Sequence, residues 1–435
     1  MAYVPNPKSV RQEMLDVIGL SSMEELFADI PAKYRLQKLD LGPGLSELEV
    51  RRELSTLAKK NLSTADYPTF LGAGAYDHYI PVVIDQLLLR SEFYTTYTPY
   101  QAELSQGILQ AIFEYQSLIC ELTGMDVANA SMYDGASALA EACNMAAAAT
   151  RRQKILLPDT VNPAYRQVLA TYARAGGFEP QTVAITDGAA ADELLTAIDD
   201  ETAAVVLQHP NFLGILETKA AAIAEKAHAH KALLIMAVAP ISLGLLKPPA
   251  ELGADVVVGE GQSLGSPLAF GGPYLGFFAT TNKLMRRVPG RLVGQTTDAA
   301  GERAFVLTLQ AREQHIRRER ATSNICSNQA LNALAATIYL ALVGPRGLRE
   351  IALRSHQLAV YAAMQLEGVG LTLKYDQPFF KEFAVKLDDP SRANQLLLEE
   401  GIIGGYELPD AMLLAFTEKR TKEEIDRLVD VLGGM

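Results

Sequence analysis

The sequence is poor in cysteine and in net positive charge. Its 435 residues include three cysteines, Cys120, Cys143 and Cys326, whose spacing fits neither a disulfide framework nor a structural zinc site. This usage is typical of a reducing cytoplasm, where we expect the protein to reside. Lysine and arginine number 39 against 51 acidic residues, for a formal charge of −12. Such a chain has no general attraction for phosphate, which disfavours nucleic-acid binding as its main function.

Long apolar segments are also missing. The longest apolar run, residues 232–246, is broken by Pro240 and is shorter than the roughly 20 residues that a membrane-spanning helix needs. Residues 1–6 continue into the charged stretch 8–16, so they lack the apolar region of a signal peptide. With 49% hydrophobic and 21% charged residues, the composition is that of a soluble globular protein without a membrane partner. At about 150 residues per domain, the length indicates two or three domains.

Hydrophobic periodicity divides the chain into three predicted regions. Residues 1–66 are predicted to form a helical N-terminal arm, in which Ser46 and Glu49 make a capping box. Residues 67–320 are predicted to form a large α/β domain, with strands at 154–157, 182–185, 203–207, 232–238, 255–258 and 274–279 and helices at 103–122, 163–175, 190–198 and 219–230. Nearly unbroken apolar strands that alternate with helices predict a mostly parallel sheet covered on both faces.

The pattern changes after residue 320. Residues 321–435 are predicted to form a smaller α+β domain, with helices at 327–342, 347–366 and 422–432 and strands near 371–373, 382–386 and 412–416. The fold class is therefore α/β with a smaller C-terminal α+β domain.

Two motifs that suggest ligand sites lack the right context. Gly72 and Gly74 could begin a dinucleotide-binding fingerprint, but Asp77 stands where its third glycine belongs, and no strong strand precedes them. His228 and His230 are spaced like a metal pair, yet a separation of two residues places them on different faces of a helix. A solvated helix end is the preferred interpretation, and no metal site is expected.

Two further groups favour structural roles. Cys326 has His315 upstream but no identifiable third member of a catalytic set, so we expect a buried structural thiol. The basic run 312–320 could bind a phosphate, but Glu313 and Glu319 are interleaved in it. A salt-bridged face and a phosphate site therefore remain equally open interpretations of that run.

Pyridoxal phosphate (PLP) enzymes need a helix N-terminus for the phosphate, an acid at the pyridine nitrogen and a lysine for the Schiff base. The first of these is present in the large domain. Small and polar residues precede and open a helix predicted to run through residue 149, namely Ser131, Asp134, Gly135, Ala136 and Ser137. Small residues let backbone N–H groups approach an anion, but they equally allow close packing of a helix on a sheet.

The acid and the lysine are both absent. The strand at 233–236 is followed by Ala237 instead of an acid, and the segment after the strand at 256–258 carries Gln262 and no lysine. Lys247 is the only lysine between residues 232 and 282, and it lies in a proline-containing loop. The chain is therefore either unrelated to PLP chemistry or a degenerate copy that works beside a competent one.

Four segments decide between these two alternatives. Residues 97–107 (YTPYQAELSQG), 130–134 (ASMYD), 271–278 (GGPYLGFF) and 312–326 (REQHIRRERATSNIC) resemble, in the same order, the glycine cleavage system P-protein family, the decarboxylating glycine dehydrogenases. The resemblance runs from about residue 1 to the C-terminus and matches the N-terminal half of the long single-chain form. It is therefore similar to the separate subunit 1 (alpha) of the split form, and it implies the fold of the PLP-dependent transferases of fold type I.

The resemblance implies a role in glycine catabolism within a complex. In this family PLP supplies the electron sink for decarboxylation of glycine, and the aminomethyl group passes to the lipoyl arm of the H-protein, with the T- and L-proteins as further members of the system. In the split form PLP sits on subunit 2 (beta). The resemblance thus implies an inactive isolated chain without covalent cofactor, a vestigial pocket at residues 131–137, Ala237 and Gln262, and an alpha–beta pair doubled to a heterotetramer.

The loop 94–103 is the expected contribution of this chain to the site of subunit 2. Tyr97, Thr98, Tyr100 and Gln101 offer hydroxyls and an amide in a segment stiffened by Pro99. We expect Gln101 or Thr98 to bind the glycine carboxylate or the PLP phosphate, and the two tyrosines to shape the pocket wall. The alternative is that these aromatic rings only pack the subunit interface.

Glu103 is expected to belong to the same contribution to the site of subunit 2. The alternative for Glu103 is a purely local role in the first turn of the following helix, where a carboxylate complements the helix dipole. Two rival functions remain at this point. One is an independent PLP enzyme that uses Lys247 or Lys283. The other is a non-catalytic pseudo-enzyme that acts as a scaffold or regulatory partner of a PLP enzyme.

Overall fold

The N-terminal unit of the chain comprises residues 1–62, and helices are the regular elements of its described part. The computed structural model describes residues 6–36, 41–190 and 192–435, and in this unit it contains α1 (Lys8–Ile18) and α2 (Glu47–Ala58). The predicted capping box is confirmed: the Ser46 hydroxyl accepts the N–H of Glu49 at 3.4 Å, and the Glu49 carboxylate accepts the N–H of Ser46 at 2.8 Å. No residue of α2 is buried, so its apolar side chains lie exposed.

A seven-stranded sheet organises the second unit, residues 63–435. Its strands are β1 (Val127–Ala128), β2 (Lys154–Pro158), β3 (Glu179–Val183), β4 (Thr202–His209), β5 (Leu233–Val238), β6 (Val256–Glu260) and β7 (Gly276–Thr280). They lie in the order β1–β7–β6–β5–β4–β2–β3. The five neighbouring strands β3, β2, β4, β5 and β6 are parallel to one another. At the other edge, β7 and β1 are antiparallel to their neighbours. The predicted mostly parallel sheet is confirmed.

Helices surround this sheet and cover both of its faces. They are α3 (Val82–Leu88), α4 (Ser91–Tyr94), α5 (Gln106–Thr123), α6 (Gly135–Thr150), α7 (Pro163–Gly176), α8 (Asp192–Ala197) and α9 (Ala220–Ala229). Side chains of β4 alternate between two cores: Val205 and Leu207 pack with residues of α9, while Val206 packs with residues of α6 and α7. Burial on both faces explains the unbroken apolar strands. Residue 191 of the helix predicted at 190–198 lies outside the described residues.

An antiparallel hairpin that the sequence did not reveal follows the sheet. Its strands, β8 (Leu292–Thr297) and β9 (Arg303–Thr308), pack on α5. Two glutamines of α5 bind their backbones: the side chain of Gln116 accepts the N–H of Val293 at 2.9 Å and donates to its carbonyl at 2.9 Å, and Gln106 does the same for Phe305. The second half of β8 is polar and exposed, so no alternating apolar pattern marks it.

The start of α5 differs from the prediction. The backbone makes a separate turn before it, in which the N–H groups of Leu104 and Ser105 donate to the carbonyl of Gln101 at 3.1 and 3.0 Å. The helix begins only at Gln106, whose side chain is fixed to the hairpin. The expectation that Glu103 lies in the first helical turn is therefore wrong, and Glu103 belongs to the preceding turn.

The C-terminal part contains a three-stranded sheet and its helices. After the short α10 (Gln314–Arg317), its elements are α11 (Ala330–Gly368), β10 (Glu382–Lys386), α12 (Pro390–Glu399), β11 (Tyr406–Leu408), β12 (Ala411–Ala415) and α13 (Lys422–Gly433), with the strands in the order β10–β12–β11. The strand predicted at 371–373 is wrong in extent, because only Leu373 forms an isolated bridge, with Val385. The domain boundary predicted at residue 320 stays a prediction.

Helix α11 joins two cores of the second unit. It bends at Gly344, whose φ of +58° is not helical, just before Pro345, and this matches the two separate helices predicted there. By length and composition alone α11 could cross a membrane. Its buried apolar residues, however, pack into the core of the large sheet as far as Ala352 and into that of the C-terminal sheet from Ala359 onward. This is the behaviour of a core helix.

Candidate functional site

A pocket lies at the carboxyl ends of β4, β5 and β6. Gln208, Ala237 and Glu260 come from the ends of these strands, and Tyr76 and Gln262 close the pocket from the loops. Its free space amounts to about 460 Å³ and is partly open to solvent. Parallel α/β sheets place ligand sites at this edge, because the loops that follow neighbouring strands converge there. Of the predicted pocket residues, Ala237 and Gln262 line this space.

The predicted phosphate element forms the start of α6. Asp134 caps the helix: its carboxylate accepts the N–H of Ser137 at 2.7 Å, and the Ser137 hydroxyl accepts the N–H of Asp134 at 3.2 Å. Ser131 instead faces α11, where its hydroxyl accepts the N–H of Gln329 at 3.1 Å. Ala136 is buried in the helix. The segment therefore folds as predicted, but Ser131 is turned away from the pocket.

Glu260 supplies an acid that no sequence motif indicated. Its carboxylate accepts the N–H of Gly135 at 3.0 Å through Oε2, and those of Gln262 and Leu275 at 3.0 and 3.1 Å through Oε1. Burial raises its pKa to about 7, against the effect of these hydrogen bonds. A carboxylate at the carboxyl end of a parallel strand was the signal that could have identified it.

Gln262 is fully engaged by the protein itself. Its Oε1 accepts the N–H of Tyr76 at 3.0 Å, and its Nε2 donates to the carbonyls of Tyr76 and Ser266 at 3.2 and 2.8 Å. The side chain thus ties the loop around Tyr76 to the segment that follows β6. A glutamine amide cannot replace the amine of a Schiff-base lysine, so this residue serves to hold the pocket wall.

The residues present in this chain do not fit PLP. No lysine lies between β6 and β7, and Ala237 offers no carboxylate for the pyridine nitrogen. Glu260 already binds the first N–H of α6. Lys247 and Lys283, the lysines of the rival interpretation, are exposed and do not line the pocket. Among the described residues, no three His, Cys, Asp or Glu side chains are grouped as metal ligands.

The loop 94–103 is anchored at its centre and exposed around it. Thr98 accepts a hydrogen bond from the guanidinium of Arg291, and the hydroxyls of Tyr97 and Ser327 lie 2.8 Å apart. Tyr97 and Tyr100 are 67% and 80% exposed, and their ring centroids are 6.1 Å apart. Gln101 and Glu103 are exposed as well.

A cleft of about 600 Å³, partly open to solvent, lies under this loop. Residues of α5 and α11, most of them apolar, form half of its lining. The hydroxyl of Tyr115 is buried beside it without a hydrogen-bond partner, and burial raises the pKa of that hydroxyl far above its ordinary value. The loop therefore rests on an incompletely filled surface instead of a packed core.

A buried cluster of ionisable groups links the pocket wall to the C-terminal sheet. The Nζ of Lys381 lies 2.6 Å from Nε2 of His78, whose Nδ1 lies 2.6 Å from the carboxylate of Glu418. Tyr76 donates to Glu382 at 2.8 Å, and Lys381 sits 3.6 Å from the centroid of the Tyr76 ring. These residues are far apart in sequence, which is why no motif revealed them.

Burial dominates the electrostatics of this cluster. It lowers the pKa of Lys381 to about 7 and that of His78 to about 4, and it raises the pKa of Glu382 to about 6. Burial opposes ionisation of Glu418 too, but its hydrogen bonds with His78 and with the N–H of Tyr79 prevail and lower its pKa to about 2. The arrangement is that of a neutral imidazole that donates to Glu418 and accepts from Lys381.

The motifs set aside in the sequence have local partners. His228 and His230 contact Asp255 and Asp200 separately, each at 2.8 Å, as a solvated helix end would. Asp77 pairs with Lys419 at 2.7 Å. The expectation of a buried thiol at Cys326 is wrong, because the chain runs over the surface there and its neighbour Ile325 takes the buried position.

The basic run 312–320 is divided between interior and surface. Arg312 donates to the carbonyl of Val288, and the Glu313 side chain is buried 4.0 Å from Arg291. Burial raises the pKa of Glu313. Arg317 and Arg318 are exposed. Arg312 thus binds the segment before the hairpin and Glu313 lies near the loop anchor Arg291, while Arg317 and Arg318 face outward.

Comparison with known proteins gives one consistent family. The family model described as the glycine cleavage system P-protein matches residues 1–432. A relative from Syntrophomonas wolfei, named probable glycine dehydrogenase (decarboxylating) subunit 1, is 63% identical over 440 residues, which cover 100% of this chain and 99% of the relative. Proteins of the same name from Carboxydothermus hydrogenoformans and Bacillus subtilis are 58% and 52% identical, covering 100% and 99% of this chain and 100% and 98% of the relatives.

Solved structures give the same result. A glycine decarboxylase (P-protein) of the glycine cleavage system, in inhibitor-bound form, aligns with a TM-score of 0.94 and 45% identity over 100% of both chains. A sphingosine-1-phosphate lyase from Burkholderia pseudomallei aligns with a TM-score of 0.61 at 16% identity, over 93% of this chain and 94% of the lyase. This second likeness shows the fold alone. The fold is that of the PLP-dependent transferases of fold type I, as predicted.

Proposed function

Because the chain belongs to the glycine cleavage system P-protein family, we propose that it is the cofactor-free half of a two-subunit glycine decarboxylase. Subunit 2 binds PLP and decarboxylates glycine, and the aminomethyl group passes to the lipoyl arm of the H-protein. The T- and L-proteins complete the system. The relatives' designation as subunit 1 supports an assembly with a second chain. The complex is a cytoplasmic heterotetramer of two alpha–beta pairs, and the isolated chain is inactive.

The composition of its own pocket supports the cofactor-free role. Gln262 and Ala237 replace the two groups that PLP chemistry needs, and Glu260 binds the N–H of Gly135 at the start of α6. A carboxylate at that position repels a phosphate. PLP is therefore held by the partner, and this chain acts on the reaction from the subunit interface.

The loop 94–103 carries the functional proposal. Its central observation is that Tyr97 and Tyr100 are exposed side by side while Thr98 is fixed by Arg291. Large exposed aromatic residues are characteristic of binding surfaces, and an anchored backbone lowers the entropy that binding costs. The loop enters the site of subunit 2, where Thr98 or Gln101 contacts the glycine carboxylate or the PLP phosphate and the tyrosines form the wall.

Single variants in the reconstituted complex test this role. Thr98→Val, Gln101→Ala and Tyr100→Phe are expected to lower the rate of exchange between glycine and bicarbonate, while the complex still assembles on size-exclusion chromatography. Tyr79→Phe is the matched control, because Tyr79 is a 61% exposed tyrosine outside the loop. If all three loop variants exchange at the rate of Tyr79→Phe, the loop only packs, and the chain is a non-catalytic scaffold or regulatory partner instead.

A further inference from the structure

The N-terminus of α6 already holds an anion supplied by the chain itself. Gly135 is the first residue of α6, and its N–H donates to Glu260 at 3.0 Å. The N–H groups of Gln262 and Leu275 converge on the other oxygen of the same carboxylate. Backbone N–H groups at a helix start and in adjoining loops are the donors that bind phosphates in proteins. In this chain an internal carboxylate uses them.

The charges around this position also exclude a second anion. Asp134 caps the same helix end through the N–H of Ser137, so two carboxylates lie at the first turn of α6. No lysine or arginine lines the adjoining pocket, and Glu260 is its one charged lining residue among the residues that the structure describes. A phosphate placed there would meet negative charge without a compensating cation.

The atoms around the start of α6 are also closely packed. A Cβ atom on Gly135 would lie 2.2 Å from the hydroxyl of Tyr165 and 2.9 Å from the backbone nitrogen of Glu260. The helix start, Tyr165 and the end of β6 therefore approach one another as closely as a glycine allows. Glu260 fills the volume that remains between these backbone donors.

We propose that Glu260 is a built-in ligand of this pocket, whose carboxylate takes the place of a phosphate and so excludes phosphate monoesters, PLP among them, from this chain. Only the consequence of this inference, that PLP loads onto the partner subunit alone, rests on the proposed function. Its physical basis lies entirely in the residues of this chain. Removal of the Glu260 side chain leaves three backbone N–H groups without an acceptor, and a phosphate monoester can take them up.

Titration of the full-length chain tests this assignment. The probes are inorganic phosphate and pyridoxine 5′-phosphate, which lacks the aldehyde and cannot react with lysines, followed by calorimetry and by the shift in melting temperature. Glu260→Ala is expected to bind both probes at least about tenfold more tightly than the wild type. Glu260→Asp, which keeps the negative charge, is expected to behave like the wild type.

Glu217→Ala is the matched control. Glu217 is a buried carboxylate that accepts the N–H of Ala190 at 2.7 Å and the amide of Asn211 at 2.9 Å, but it does not line the pocket. This variant loses a comparable buried carboxylate and is expected to gain no phosphate affinity. A gain shared by both alanine variants would show non-specific binding to a loosened protein and would overturn the assignment.

Two other results would also overturn it: no gain in Glu260→Ala, or an equal gain in Glu260→Asp. If Glu260→Ala does not fold in chloride buffer, its refolding yield in phosphate at equal ionic strength replaces the titration, again against Glu217→Ala. A refolding yield of Glu260→Ala that rises in phosphate, without a rise for Glu217→Ala, supports the assignment. An unchanged refolding yield contradicts it. These outcomes are independent of the loop variants, so failure of the proposed function and failure of this inference are distinguishable.

Discussion

The guanidinium of Arg291 donates a hydrogen bond to the hydroxyl of Thr98. Arg291 directly precedes β8, and its carbonyl accepts the N–H of Ala130 at 2.9 Å, so its backbone is fixed to the segment that follows β1. The loop 94–103 is therefore held at its centre by one side chain of a supported hairpin. Arg291 acts through Thr98, and we regard it as a positioning residue.

Replacement of Arg291 by methionine is expected to lower kcat for glycine–bicarbonate exchange by about tenfold in the reconstituted complex, because the loop loses its anchor while its own side chains remain. Arg291→Lys, which keeps one donor, should recover part of the loss. Arg303→Met is the control, since Arg303 is an exposed arginine of β9 in the same hairpin. Equal rates for the Arg291 and Arg303 methionine variants would refute the anchoring role.

The hairpin itself depends on Gln116. Replacement of this buried glutamine by leucine leaves the N–H and carbonyl of Val293 without their partner. Each buried unsatisfied group costs about 1–3 kcal/mol, so the free energy of unfolding should fall by about 2 kcal/mol or more in urea denaturation. Gln110→Leu on the same helix removes only an exposed bond to Glu114 and should change stability little. Similar losses in both variants would contradict this account of the hairpin.

The stability of the cluster around Lys381 should depend on pH. Burial lowers the pKa of Lys381 to about 7, whereas in the unfolded chain it is near its ordinary value of about 10.4. Between these pH values the unfolded chain binds a proton that the folded chain does not. Stability contributed by this group therefore rises with pH across the window, by at most about 1.4 kcal/mol per pH unit.

Urea unfolding of wild type and Lys381→Met at pH 7, 8 and 9 checks this sign. The variant should lack the rising contribution, so the difference between the two proteins changes with pH. The facing groups His78, Glu382 and Glu418 titrate below this window. Lys419→Met is the control, since Lys419 pairs with Asp77 nearby and is more exposed. A pH-independent difference between wild type and Lys381→Met would count against the buried, largely neutral lysine.

Elements with strong periodicity were predictable from the sequence. The parallel strands are apolar over their full length because helices cover both faces, and the cap at Ser46 and the start of α6 at Asp134 follow from local side-chain chemistry. The hairpin β8–β9 was not predictable, because its outer half is polar and its support comes from Gln106 and Gln116 on a distant helix.

For the candidate site, only the missing groups were predictable from the sequence. The missing lysine and the alanine at position 237 can be read directly from the sequence, whereas the role of Glu260 depends on three N–H groups that the fold brings together. The same holds for the buried cluster, in which His78 lies more than 300 residues before both Lys381 and Glu418. These residues meet only in the folded chain. Contacts of this kind leave no spacing pattern.

The most direct test of the proposed division of labour is glycine–bicarbonate exchange in the presence of H-protein, measured for this chain alone, for subunit 2 alone and for the two mixed. We expect exchange only in the mixture, with the absorbance of bound PLP following subunit 2. Exchange by this chain alone, with PLP bound to it, would contradict the account. It would show that a lysine of this chain reaches the cofactor and that Ala237 and Gln262 do not mark a degenerate site.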